Sequence, residues 1–226
     1  AYILLNEVKT PDRLNERQFA RWCMLYCRAA DKLFKDMLYT EQLDRALVGY
    51  KSHAAAEQQA WMGLYLGRSY VKDKLFIPAM KAYSDALSLA KEKYLYDVAG
   101  YICSYMADLY TYTGQRSEER RKFEEAAEFF KQAGNERSYA FALRDVAKTW
   151  AFDDSLSLAL HYMLIADSVI TRFQDLRGIS SISNGLGNIY DLMGDVEKAR
   201  AFVDKELSGV EYRLYFHDRA AAPWQG

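Results

Sequence analysis

The sequence predicts an all-α fold, an α-α superhelix built as a right-handed solenoid of antiparallel helix hairpins. Three observations lead there. Twelve glycines and three prolines in 226 residues fall well short of the roughly 12% that the two types usually make up together. Only Pro78 lies between residues 12 and 222, so the many turns of a sandwich or barrel have no punctuation. Most decisively, one apolar pattern returns every 40 residues.

The pattern begins as Leu66-Gly67-x-x-Tyr70 and recurs as Met106-Ala107-x-x-Tyr110, Val146-Ala147-x-x-Trp150 and Leu186-Gly187-x-x-Tyr190. A second motif follows each copy: Ala79, Tyr83 and Ala86; Phe123 and Ala126; Ala159, Met163 and Ala166; Ala199 and Val203. Across the four copies only Glu119 and Glu206 break the template. Offsets of three and four place residues on one helix face. A small residue at a crossing lets two helices approach, and an aromatic one turn away fills the remaining gap. Each repeat therefore reads as two amphipathic helices packed through small residues.

First helices are expected near 57–73, 97–113, 137–152 and 178–193, and second helices near 76–93, 117–133, 155–173 and 196–215. Gly114 and Gly194 stand where helix C-terminal glycines belong. Asp154 or Ser155, and Asp195, stand at N-cap positions. Pro78 falls in a first helical turn, where a missing N–H costs least. Gly134 and Gly178 separate successive hairpins. Upstream, Asn15 to Lys35 and Glu41 to Gly49 form a divergent hairpin whose Ala46 and Tyr50 echo Ala79 and Tyr83. Residues 1–8 read as the end of an earlier helix. The expected organisation is one domain over 1–218, with hairpins at 12–50, 57–93, 97–133, 137–173 and 178–215, and a tail at 219–226.

Thirty basic and 31 acidic residues give a net charge of −1, which offers no electrostatic case for nucleic acid or an anionic membrane. No apolar run approaches the length of a bilayer span. Three cysteines are too few, and odd in number, for a disulfide framework, and leave the compartment open. Ala1 opens directly into Tyr2-Ile3-Leu4-Leu5, without a starting Met, so the expectation is a chain whose upstream part is missing.

The motifs Leu66, Gly67, Tyr70, Ala79, Tyr83 and Ala86 resemble the tetratricopeptide repeat (TPR) over roughly residues 40 to 210, with Trp150 as the aromatic of the third copy. Departures are the 40-residue period, where the family has 34 residues, the two glutamates and the absent closing proline. The longer period implies longer helices. The segments Ala1-Tyr2-Ile3-Leu4-Leu5 and Tyr65-Leu66-Gly67-Arg68-Ser69-Tyr70 resemble more narrowly the TPR regions of Bacteroidetes membrane-anchored regulators and lipoproteins, in which the TPR part serves as sensor or scaffold.

The resemblance implies partner binding by a concave face lined by the first helices. Mapped onto this chain, that face holds Trp61, Leu64, Tyr65, Arg68 and Lys72, then Tyr101, Tyr105, Asp108 and Tyr112. It continues with Phe141, Arg144, Asp145, Lys148 and Phe152, then Asn184, Asn188 and Asp191. The family's clamp for a C-terminal carboxylate has Lys and Asn where this chain has Leu64, Tyr105 and Phe141, so chaperone-tail binding is disfavoured. Arg68, Arg144 and Lys148 suit an acidic group, and Asn184 with Asn188 suits a peptide backbone.

Other candidates read as structural. Cys23 and Cys27 are one turn apart without further metal ligands, and Cys103 reads as packing. His53, His161 and His217 form no catalytic or metal signature. Gly185-Leu186-Gly187 lacks the third glycine and preceding strand of a nucleotide loop. Arg120-Arg121-Lys122 alternates with acidic residues, as a solvated helix face does. Ser180 to Ser183 resembles a linker but falls on a helix by register. The expected function is a non-catalytic protein- or peptide-binding scaffold that needs neither metal nor cofactor. The alternative is a sensor or regulatory domain of a larger signalling protein. An enzyme is disfavoured, and partner identity and oligomeric state are not set by the sequence.

Overall fold

A computed structural model of the chain describes residues 1–33, 35, 38–53 and 55–202, with 51–53 described by backbone alone. The described residues are helices and short turns without a strand. In order they are α1 (Tyr2–Asn6), a 3-10 turn (Pro11–Arg13), α2 (Glu16–Lys32), α3 (Thr40–His53), α4 (Ala56–Lys72) and α5 (Phe76–Glu92). Then come α6 (Tyr96–Thr113), α7 (Arg116–Gln132), α8 (Glu136–Phe152), α9 (Leu156–Thr171) and α10 (Leu176–Leu192). Helical backbone resumes over 196–202.

The chain packs as two compact units, one over residues 1–133 and one beginning at Gly134. In the first, α2/α3, α4/α5 and α6/α7 are antiparallel hairpins, and α2, α4 and α6 also contact one another in succession. In the second, α8/α9 form a hairpin, α10 packs on α9, and α10 also touches α8. Each unit is thus a stack of helix hairpins, as the repeat requires.

The anchors behave as their chemistry dictates. Gly67, Gly187, Ala107 and Ala147 are all buried, and Ala79, Ala126, Ala159 and Ala166 have no exposed surface. Gly63 shows how close the crossing is, because a Cβ there would sit 2.8 Å from the Ala86 methyl. The divergent hairpin follows the same rule, with Ala46 fully buried and Tyr50 nearly so. Asn15 opens α2 with a capping box, accepting from the Gln18 N–H at 2.9 Å while Gln18 Oε1 accepts from the Asn15 N–H.

The turns are more regular than the sequence suggested. A residue with positive φ stands at Lys74, Tyr94, Gly114, Gly134, Asp154, Gln174 and Gly194, one every 20 residues. At five of them the next N–H bonds back to a carbonyl in the last helical turn, as in Leu75 to Tyr70 and Gln115 to Tyr110. Ser155 stands at the N-cap of α9 without a side-chain capping bond, its hydroxyl donating instead to the Asp153 carbonyl, whereas Asp195 accepts from the Lys198 N–H at 3.2 Å. Gly178 does not separate hairpins. It lies in the first turn of α10, buried, where a Cβ would meet the Ile170 side chain at 2.6 Å, so close packing rather than turn formation explains it. Val203, Glu206, the helix end at 215, His217 and the tail at 219–226 lie outside the described residues, as does the His53 side chain.

Candidate functional site

In the first unit, the residues mapped to the first-helix face are largely built into the stack. Trp61 on α4 packs against Tyr101 on α6 with ring centroids 5.4 Å apart, and Arg28 of α2 lies over the same indole. Tyr65 is buried at 2% exposure, so its surface belongs to the fold. Tyr101 meets Phe130 edge-on at 4.9 Å. Arg68 pairs with Asp31 of α2, and its guanidinium lies over the Tyr105 ring at 4.6 Å. Tyr105 stacks on Tyr83, and burial pushes its hydroxyl up to about 12. Tyr83, Tyr105 and Arg68 wall a cavity of about 370 Å³ with Asp108 and Tyr112 at its lining. Tyr112 is 71% exposed and stacked on Phe76. Lys72 and Asp108 are exposed.

The second unit gathers the polar residues. Arg144 grips Asp145 in a two-pronged contact of 2.9 and 2.8 Å, and its third nitrogen donates to Ser181 Oγ at 2.9 Å. Phe141 lies beneath the guanidinium groups of Arg137 and Arg144. Lys148 reaches the same Asp145 at 3.4 Å while remaining half exposed. On α10, Asn188 Nδ2 donates to Asn184 Oδ1 at 3.0 Å. Between α8 and α10 opens a cavity of about 490 Å³. Its apolar floor is Ala151, Met163 and Ile189, its polar rim is Lys148, Arg177, Ser180, Ser181, Asn184 and Asn188, and Leu192 stands exposed at its edge. Phe152 joins the lining, whereas Asp191 is exposed outside it. Gly185 deepens the floor, because a Cβ there would strike the Met163 methyl at 2.5 Å.

The structure therefore brings Lys148, Asn184 and Asn188 to one cavity in the second unit. It engages all three cations expected to hold an acidic group, Arg68 with Asp31, and Arg144 and Lys148 with the one carboxylate of Asp145. Sequence reasoning passed over Arg177, Ser180 and Ser181, although Arg177 stands seven residues before Asn184 and so on the same helix face. Asp31 carried no local signal, since its partner is 37 residues away.

Small residues at the crossings of stacked hairpins, with first helices leaning on one another within each unit, define the TPR-like repeat fold. No family model matches this chain, and no curated protein matches it. Among solved structures it is similar to BtubC from P. vanneervenii, at 15% identity and TM-score 0.72, over 98% of this chain and 91% of that one. It is also similar to a Rap protein complexed with Competence and Sporulation Factor, at 16% identity and TM-score 0.73, over 92% of this chain and 58% of that one. A third is a Pyrococcus horikoshii signal-transduction ATPase with a tetratricopeptide repeat sensor, at 14% identity and TM-score 0.70, over 94% of this chain and 34% of that one. At these identities the shared property is the fold.

Proposed function

We propose that this chain is a non-catalytic scaffold that binds a protein or peptide segment on its first-helix faces, with the α8/α10 cavity as the capture site. The observation that carries this reading is the Asn184–Asn188 pair standing over an apolar floor. Residues four apart on a helix are separated by about 6 Å. Two residues of extended chain advance by about 6.6 Å. The two side-chain amides thus match alternate peptide groups of an extended segment. Asn is a poor helix former, so two of them inside α10 favour recognition over helix stability.

Preorganisation supports the same reading. Arg144 is fixed by Asp145 and Ser181, and in the first unit Trp61, Tyr101 and Tyr105 are held by ring contacts. Such walls lose little freedom on binding. The Rap protein's complex with its factor supports a peptide or protein as the kind of ligand, and the ATPase's repeat sensor supports the alternative of a sensor domain in a larger chain. Catalysis is disfavoured. Burial raises the thiols of Cys27 and Cys103 to about 12, so neither supplies a thiolate near neutral pH. Among the described residues no helix is long and apolar enough to cross a membrane.

The test is affinity capture with the wild type and with Asn184→Ala/Asn188→Ala, followed by mass spectrometry and circular dichroism. The expected result is a captured protein that disappears with the double variant while helical content is unchanged. Equal capture by both proteins would place the interface elsewhere.

A further inference from the structure

The rim of the α8/α10 cavity carries an excess of positive charge that the fold itself does not use. On α8, Asp145 is the carboxylate for both Arg144 and Lys148, which leaves that trio one charge positive. On α10, Arg177 is exposed and, among the described residues, has no ion-pair partner. It is the second residue of the helix, where the helix dipole repels a cation. The neighbouring Arg137–Asp175 pair is neutral and adds nothing to the balance. A cation that opposes the dipole, lacks a partner and lines a cavity is better explained by a ligand than by stability.

The two cations are also spaced along the groove. Arg177 precedes Asn184 by seven residues, about 10 Å of helix rise, and the bond from Arg144 on α8 to Ser181 on α10 places Lys148, one turn beyond Arg144, near the level of Asn184. About 10 Å corresponds to roughly three residues of extended chain. Resting on the scaffold reading above, we infer that this groove selects an extended peptide with two acidic side chains three to five residues apart. One meets Arg177 and the other Lys148, while the stretch between lies across Asn184 and Asn188. The charge excess supplies the choice between acidic and basic ligands, and the apolar floor takes the intervening side chains.

The experiment uses an array of hexapeptides acetylated and amidated at their ends, probed with the folded chain. The expected result is enrichment of Asp or Glu at two positions three to five apart. Arg177→Glu should reverse the preference at one of these positions and Lys148→Glu at the other. Each should weaken the best acidic peptide by about tenfold, with circular dichroism unchanged. Peptides that bind through Asn184 and Asn188 without acidic enrichment would overturn this inference and leave the scaffold reading standing. A companion array with free C-termini separates the source of the carboxylate, and binding that needs only the terminal carboxylate also overturns it. No binding by any peptide would remove the capture site and the inference together.

Discussion

Gly67 on α4 lies directly against the ring of Tyr83 on α5. A Cβ at Gly67 would stand 2.9 Å from Tyr83 Cζ and closer still to Cε1. Tyr83 is 1% exposed and stacked on Tyr105, which holds its ring against α4. At an exposed helical site, Gly→Ala stabilises by about 1 kcal/mol. Here the sign should reverse. Gly67→Ala is expected to destabilise by about 2–3 kcal/mol through overpacking, measured by urea unfolding. Adding Tyr83→Leu should recover part of the loss. A gain in stability from Gly67→Ala alone would mean that the two helices are not held this closely.

That relationship also marks what the sequence made legible. Gly67 and Tyr83 belong to the two halves of the 40-residue pattern, so their contact could be read from spacing alone. The matching anchors Ala107, Ala147 and Gly187 are buried, as the same spacing predicts. The turns were only partly legible. Glycine announces positive φ at 114, 134 and 194, but Lys74, Tyr94, Asp154 and Gln174 adopt it without any local signal, because the hairpin geometry imposes it. The candidate site was legible wherever helix periodicity sufficed, as for Asn184 and Asn188. It was hidden where a long-range partner decides what a charge does. Arg68 and Arg144 look available in the sequence, and only the fold shows that Asp31 and Asp145 occupy them.

The imposed turns give a second prediction. Lys74 has φ 59° and is exposed, and the following Leu75 N–H bonds to the Tyr70 carbonyl at 2.8 Å. An L-residue in this conformation is strained by about 1–2 kcal/mol, which glycine avoids. Glycine gives back part of that through its freer unfolded chain. Lys74→Gly should therefore stabilise the protein by about 0.5–1 kcal/mol, whereas Lys72→Gly, two residues earlier in helical backbone, should cost about 1 kcal/mol. Paired denaturation curves of the two variants check this, and a loss at both sites would show that Lys74 is not strained.

A third prediction concerns acid stability of the first unit. Glu125 on α7 accepts from Lys122 Nζ at 2.8 Å and pairs with Arg121 at 3.0 Å and with Lys91 of α5 at 3.8 Å. Cys103 Sγ on α6 donates to it at 3.6 Å. Burial alone would raise its pKa, but the Lys122 ammonium and the other cations outweigh burial and hold it below the ordinary 4.5. A carboxylate depressed in the folded state adds stability above its unfolded pKa and loses it as pH falls through the folded value. Lys122 is 8% exposed at its side chain, so protonating Glu125 also strands a buried ammonium. Glu125→Gln should therefore cost about 2 kcal/mol at pH 7, in the range of a hydrogen bond to a charged group. The gap to the wild type should close as pH drops below about 4. Thermal unfolding from pH 7 to pH 3 follows both proteins, and a gap that stays constant over that range would show that the ionised carboxylate does not tie these helices together.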